Sequence, residues 1–308
     1  MTVQDFTFPS SDGWHQCHAR LWLPEGAPRG VVQIVHGVAE HVGRYDEFAA
    51  FLTEHGFAVG GEDHLGHGET ARGDSSFGWF GPKNGWTLVA EDVRALRLRL
   101  GDQFPGVPYF LFGHSMGSFL TRTYLCRWPG TVDGAILSGT GQEPAPLVIF
   151  GQILSSLIAG IRGGDKVSPL VHTLSLGAYN RQFAPNRTGA DWISRDEKQV
   201  DRYLADPLCQ ITPAVGLYRD MMGGLREIAA PRNLSRMDPD TPILFLSGDQ
   251  DPVGSNGKGV RKVYEMFRRT GCREVTLKLY PGGRHEMLHE QNWQEVYEDA
   301  LSWLEGHC

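Results

Sequence analysis

Three short stretches of this chain hold residue types that, in this order, can carry out acyl transfer. Gly113-His114-Ser115-Met116-Gly117 sets a serine between two glycines. Ser247-Gly248-Asp249-Gln250-Asp251 offers two carboxylates, and Gly282-Gly283-Arg284-His285-Glu286 an imidazole. A serine hydroxyl is a weak nucleophile at neutral pH, so it needs a histidine to take its proton and an acid to orient that histidine. Such chemistry also needs backbone N–H donors aimed at the oxyanion that forms on the carbonyl.

The surrounding pattern says how these stretches are positioned. Tyr109 to Phe112 is an apolar run too short for a helix, and Met116, Leu120 and Tyr124 recur on one helical face just beyond it. Strand, sharp turn and helix therefore follow one another, with Gly113 and Gly117 giving the backbone room and Ser115 standing at the edge of the sheet. Ile243 to Leu246 predicts a buried strand that ends just before Asp249 and Asp251. Val275 to Tyr280 predicts another, ending before His285, so serine, carboxylates and imidazole lie on the same edge. The residue after the nucleophile, Met116, is placed to give one oxyanion donor.

The remaining elements fit the same frame. Asp5 to Phe8 and Trp14 to Leu23 alternate around Pro9-Ser10-Ser11-Asp12-Gly13 and predict an antiparallel hairpin. Val31 to Val35, Phe57 to Val59 and Gly134 to Leu137 read as strands. Tyr45, Phe48, Ala49 and Leu52 mark one helix, Val89, Val93, Leu96 and Leu100 a second, Val260, Val263, Tyr264 and Phe267 a third, and Trp293 to Leu304 a last one. Between about Gly139 and Pro213 the alternation stops, leaving helical pieces broken by Pro and Gly. The expectation is an α/β fold with a mostly parallel sheet of about eight strands flanked by helices. It divides into a core of residues 1–138, a helical cap of residues 139–213 and a second part of the core, residues 214–308.

Composition narrows the function. With 308 residues, 41% hydrophobic and 21% charged, the chain can bury a sizeable core. A net charge of -7 without a basic stripe argues against nucleic acid as a partner. Five cysteines at 17, 126, 209, 272 and 308 lack metal or disulfide spacing and read as reduced thiols in a cytoplasmic protein. Met1 to Asp5 lacks the basic, then apolar, start of a signal peptide. The apolar stretch Leu147 to Ile161 is shorter than a membrane span and reads as a cap helix.

The order Ser, Asp, His is that of α/β-hydrolases. Together with His36-Gly37-Val38-Ala39-Glu40-His41, Arg44-Tyr45 and Asp63-His64-Leu65-Gly66-His67-Gly68, it makes the chain resemble that superfamily over nearly its whole length. Within it, the chain is similar to the monoacylglycerol lipase and lysophospholipase group, also classed with serine aminopeptidases. The resemblance implies Asp251 as the acid, at the fourth position of Gly-x-x-Asp, with Asp249 the alternative. It implies His285 as the base, with His289 the alternative, and the Val38 N–H as the second oxyanion donor. His36 and Gly37 would hold the oxyanion loop, and His114 lies within the serine motif. Glu40 and Arg44, four apart, are expected to pair structurally. His64 and His67 beside Asp63 brace the site rather than bind metal, and no cofactor is called for.

Leu147 to Ile158 is apolar on more than one face, which suits an acyl tunnel and transient contact with a membrane or micelle through the cap. The expected function is therefore a metal-independent serine hydrolase of small-molecule lipid esters, such as monoacylglycerols or lysolipids. An aminopeptidase or small-ester esterase is the alternative, with Glu143, Asp165, Asp191, Asp196 or Glu197 gripping a peptide amine. A noncatalytic ligand-binding homologue is the alternative of another class. Serine at 115 excludes the aspartate-nucleophile chemistries of this fold. The residues assign no oligomeric state.

Overall fold

The computed structural model describes residues 1–71 and 76–308. Eight strands, β1 (Thr2–Pro9), β2 (Gln16–Leu23), β3 (Gly30–Val35), β4 (Phe57–Glu62), β5 (Tyr109–His114), β6 (Gly134–Ser138), β7 (Ile243–Gly248) and β8 (Val275–Tyr280), form one sheet in the order β1-β2-β4-β3-β5-β6-β7-β8. β2 runs antiparallel to β1 and β4, and the strands from β3 to β8 are parallel. The α-helices among the described residues are α1 (Asp46–Glu54), α2 (Gly85–Gln103), α3 (Met116–Arg127), α4 (Ala145–Arg162), α5 (Pro169–Leu174), α6 (Leu176–Tyr179), α7 (Glu197–Ala205), α8 (Val215–Ala229), α9 (Pro231–Leu234), α10 (Lys258–Arg269) and α11 (Trp293–Glu305).

Side chains alternate across a strand, so a strand that is apolar throughout must be covered on both faces. β5 does this: Tyr109 and Leu111 join the core beneath α2, α3, α8 and α10, while Phe110 and Phe112 join the one beneath α1 and α11. Val31 and Val35 against Val32 and Ile34 repeat the division in β3. The hairpin forms as expected, but its second strand starts at Gln16, because Trp14 is 90% exposed in the turn. α3 also departs from a simple one-faced helix: Ser118, Thr121, Arg122 and Thr123 are buried along with its apolar residues. The cause is α8, which packs on the side of α3 that would otherwise meet water.

The chain order reverses at β3, which lies between β4 and β5. In open parallel sheets, ligands bind outside the carboxyl ends of the strands at such a switch point. The pairing Val35↔Gly113 brings the end of β3 beside the end of β5 there. Between β6 and β7 the chain forms α4 to α9 and no strand among the described residues. α4 packs lengthwise on α8, which also touches α2 and α3, so α8 ties the inserted helices to the sheet. α4 is a single 18-residue helix, longer than the apolar stretch suggested; among the described residues it is the one helix long and apolar enough to cross a membrane by length and composition. It buries Val148, Ser155 and Ala159 and exposes Leu147, Phe150, Ile153, Leu157 and Ile161.

Gly117 sits where α3 begins, against the end of β3, and a Cβ there would overlap the carbonyl oxygens of Val35 and His36. Backbone atoms cannot turn aside as a side chain can. Gly117→Ala is therefore expected to destabilise the protein by more than about 3 kcal/mol, read as a lower urea midpoint with an unchanged slope.

Candidate active site

β5 ends at His114, and the chain then turns through Ser115 at φ 51° and ψ -120° into α3. This is an unusual conformation for a residue with a Cβ, and surrounding bonds hold it. The Ser115 N–H donates to Ser138 O at 2.9 Å, and Ser118 Oγ donates to Ser115 O at 2.5 Å. Gly113 lies against Gly117 and Thr121, so neither glycine leaves space for a side chain where strand and helix meet. Met116 is the first residue of α3, and its N–H is one of the four that a helix start leaves without an intrahelical acceptor. The same helix end favours negative charge.

The loop after β3 runs beside this turn. A Cβ on Gly37 would lie 3.0 Å from Ser115 Cβ, and Val38 shares with Ser115, Met116 and Phe119 a cavity of about 60 Å³. His36 Nδ1 donates to Gly37 O at 2.7 Å, and its Nε2 accepts the His64 N–H at 3.0 Å. That pattern fixes one neutral tautomer, and burial, helped by His64 and His67, holds the ring's pKa well below its usual value. His64 stacks on His36, and His67 Nδ1 donates to Leu65 O, so both rings serve as packing and hydrogen-bonding groups. Asp63 accepts from Val42 N, Glu69 N and His18 Nδ1 and braces the next turn.

β7 and β8 bring the other two stretches together. Gly248 and Gly283 touch backbone to backbone, since a Cβ on Gly248 would overlap Gly283 O, and Gln250 N donates to that oxygen at 2.9 Å. Beyond this contact His285 Nδ1 lies 3.0 Å from both carboxylate oxygens of Asp251. Asp249 instead accepts from Gly282 N at 2.8 Å, and His289 Nε2 donates to Arg44 O at 3.2 Å. Burial opposes a charged imidazole at 285, but the Asp251 carboxylate outweighs it and lifts the His285 pKa above its usual value. His114 goes the other way: burial, then the neighbouring His285, push it well down.

Several supporting contacts join residues far apart in the sequence. Trp192, from the aromatic segment Tyr179 to Trp192, lies against His285 at 4.9 Å between ring centres, the rings tilted by 32°, while His114 lies against it at 4.7 Å. Arg122 is fully buried on α3 and donates to Gly141 O and Gln142 Oε1, fixing the strap after β6 that lines the Ser115 cavity. With burial unopposed by a carboxylate, its pKa is pushed down to about 9. Arg44 does meet Glu40 at 3.3 Å, but its shorter bonds, 2.6 and 2.8 Å, are the two to Glu286 beside His285. Glu40 in turn accepts from Gly37 N and Tyr45 OH, so one buried ion cluster joins the loop after β3 to the loop of His285. Burial raises the Glu40 pKa, and despite burial Arg44 holds Glu286 well below the usual range. His41 Nε2 to Asp206 Oδ2, 2.8 Å, ties the same loop to the segment after α7. The sequence separations, 242 residues for Arg44 and Glu286 and 165 for His41 and Asp206, explain why no local pattern could reveal them.

A parallel sheet with a strained serine between strand and helix, and an acid and histidine on later strand ends, defines an α/β-hydrolase. The chain belongs to the family described as serine aminopeptidase, S33, whose model matches residues 26–292. It is 31% identical over 300 residues to a monoacylglycerol lipase of Mycolicibacterium smegmatis, covering 93% of this chain and 92% of that one. It is 28% identical to the human monoglyceride lipase, covering 92% and 85% of the two chains. Among solved structures, a highly thermostable carboxyl esterase from Bacillus coagulans in complex with glycerol superposes with a TM-score of 0.93 at 32% identity, covering 100% of this chain and 99% of that one.

Replacing Arg44 by Met would leave Glu286 buried without its cation. The cost is expected to be about 3–5 kcal/mol at pH 7, shrinking as pH falls and the stranded carboxyl protonates. Urea denaturation of the two proteins at pH 7 and pH 5 measures it.

Proposed function

We propose that the protein hydrolyses carboxylic esters of lipids, monoacylglycerols foremost, through an acyl-enzyme on Ser115. His285 takes the Ser115 proton as the hydroxyl attacks the acyl carbonyl and returns it to the leaving alcohol. Asp251 orients the imidazole and stabilises its charged form. The Val38 and Met116 N–H groups hold the oxyanion, the latter aided by the start of α3. Water activated by His285 then frees the fatty acid. The named relatives, a monoacylglycerol lipase and a monoglyceride lipase, support the substrate class, and the glycerol bound by the Bacillus coagulans esterase suits a glycerol ester.

The single observation that carries the lipid reading is the continuity of the cavities. The small space at Ser115 shares Glu143, Ser175, Tyr179 and Met222 with a cavity of about 230 Å³ lined by Leu147, Val148, Phe150, Leu154, Val171 and Leu174. Leu147, Phe150 and Leu174 are also exposed, as are Ile153, Leu157, Ile161 and Leu170 nearby in sequence. An acyl chain can thus enter from an apolar surface and reach the serine without crossing water, and that surface suits transient contact with a membrane or micelle. In this reading residues 139–213 act as the cap, and residues 1–138 and 214–308 as the core. The five cysteines are free thiols, which suits the reducing cytoplasm.

Initial rates of fatty acid release from monoacylglycerols of increasing chain length test the assignment, with lysophosphatidylcholine and a prolyl amide alongside and Ser115→Ala as blank. Rates that rise to medium or long chains and vanish in the blank are expected. Turnover confined to the amide or to very short esters would overturn the lipid reading.

The pH profile tests the roles. Only neutral His285 can accept the serine proton, and its pKa is raised, so kcat/KM is expected to rise tenfold per pH unit up to an inflection above 6.5 and then level off. Asp251→Asn removes both the lift and the orientation: the inflection should move to lower pH while kcat falls by about 10⁴.

A further inference from the structure

A second cavity, of about 500 Å³, opens between the first turns of α4, the end of α8, α9 and α10. Its volume falls within the range of small-molecule sites, about 300–1,000 Å³. Val148, Ile149, Leu225, Leu234 and Met266 give it an apolar wall. Three cations, Arg226, Lys262 and Arg269, stand exposed along its rim; among the described residues none of them forms a salt bridge, although the Lys262 charge acts on Glu143 from farther off. Arg226 donates to Gln152 Oε1, a neutral partner. An apolar wall with unpaired cations at the rim is complementary to a single-chain amphiphile that ends in an anion.

The cavity adjoins the space at Ser115. Gln142, Glu143 and Leu225 line both, and Glu143 also lines the acyl channel. The space at Ser115 offers an anion the Glu143 carboxylate and no cation; the neighbouring cavity shares that carboxylate but adds three cations, which outnumber it. A neutral ester has no preference between the two, whereas the carboxylate that hydrolysis releases is drawn to the second.

We propose that this cavity is a binding site for the fatty acid product, with the carboxylate on Lys262 and Arg269 and the chain along Val148, Ile149, Leu225 and Met266. The identity of the ligand as a product rests on the ester-hydrolase reading; the site itself does not. Lys262 and Arg269 are exposed on α10 and do not line the space at Ser115, so charge reversal there leaves the fold in place.

The experiment measures submicellar laurate, dodecyl phosphate and dodecanol binding by calorimetry to the full chain carrying Ser115→Ala, with and without Lys262→Glu and Arg269→Glu together. Laurate is expected to bind about tenfold more weakly to the charge-reversed protein and to weaken with added salt, while dodecanol is unaffected. Equal laurate affinity in the two proteins, at equal melting temperature, overturns the site. Dodecyl phosphate binding much more tightly than laurate, with the same dependence on the two cations, overturns the product assignment in favour of a phosphate headgroup. With Ser115 intact, laurate should inhibit initial ester hydrolysis less in the charge-reversed protein, each rate being taken relative to that protein's own uninhibited rate. A chain that binds laurate in this way but hydrolyses no ester would overturn the function and leave the site standing.

Discussion

The close approach of the first turn of α3 to the end of β3 is the constraint on which the rest of this structure depends. Gly117 packs against the Val35 and His36 carbonyls, and Gly37 lies against Ser115. No side chain intervenes, so the serine and the loop carrying Val38 are held at backbone distance from each other. Ser115 must adopt a positive φ for this to happen, and a strained residue persists only when its surroundings over-determine it. Here they do: its N–H is bonded to Ser138, its carbonyl to Ser118, and the helix behind it is buried on every side.

A second set of contacts works over a longer range and uses charge. Arg44, Glu40 and Glu286 form a buried cluster that spans the loop after β3 and the loop of His285. Buried ion pairs add little net stability when measured against apolar replacements, but they penalise misplacement of either partner, because a displaced charge is left without water or counter-ion. Such a cluster fixes the relative position of two loops that come from opposite ends of the chain. The Tyr203 ring beneath Arg44 and the His41 to Asp206 bond extend the same tie to α7 and the segment after it.

The inserted helices are built differently. α4 buries little of itself, and its exposed apolar residues face outward beside a cavity that shares Glu143, Ser175, Tyr179 and Met222 with the space at Ser115. The sheet's cores are closed on both faces by packing that admits one arrangement, whereas α4 is held chiefly along α8. That difference puts rigidity at the Ser115 turn and an apolar, open surface along α4. Glu143 stands at the junction of all three cavities, and its pKa is raised by burial against the opposing charge of Lys262.

The sequence alone was enough to read the α/β alternation, the serine turn and the strand ends carrying the carboxylates and the histidine. Each of these is a local property: apolar runs of strand length, helical spacing and glycine at a sharp turn all lie within a dozen residues of one another. The tertiary structure decided what depends on separation in the chain. It placed Asp251 rather than Asp249 against the imidazole, because the contact of Gly248 with Gly283 turns one carboxylate inward while Gly282 N takes the other. It laid Trp192 against His285 and gave Arg44, besides its near neighbour Glu40, the partner Glu286, 242 residues away. It also made one helix of residues 145–162, where the apolar stretch had read shorter. Spacing encodes neighbours along a helix or strand, but the partners of a buried charge or ring are set by which strand ends meet at one edge of the sheet.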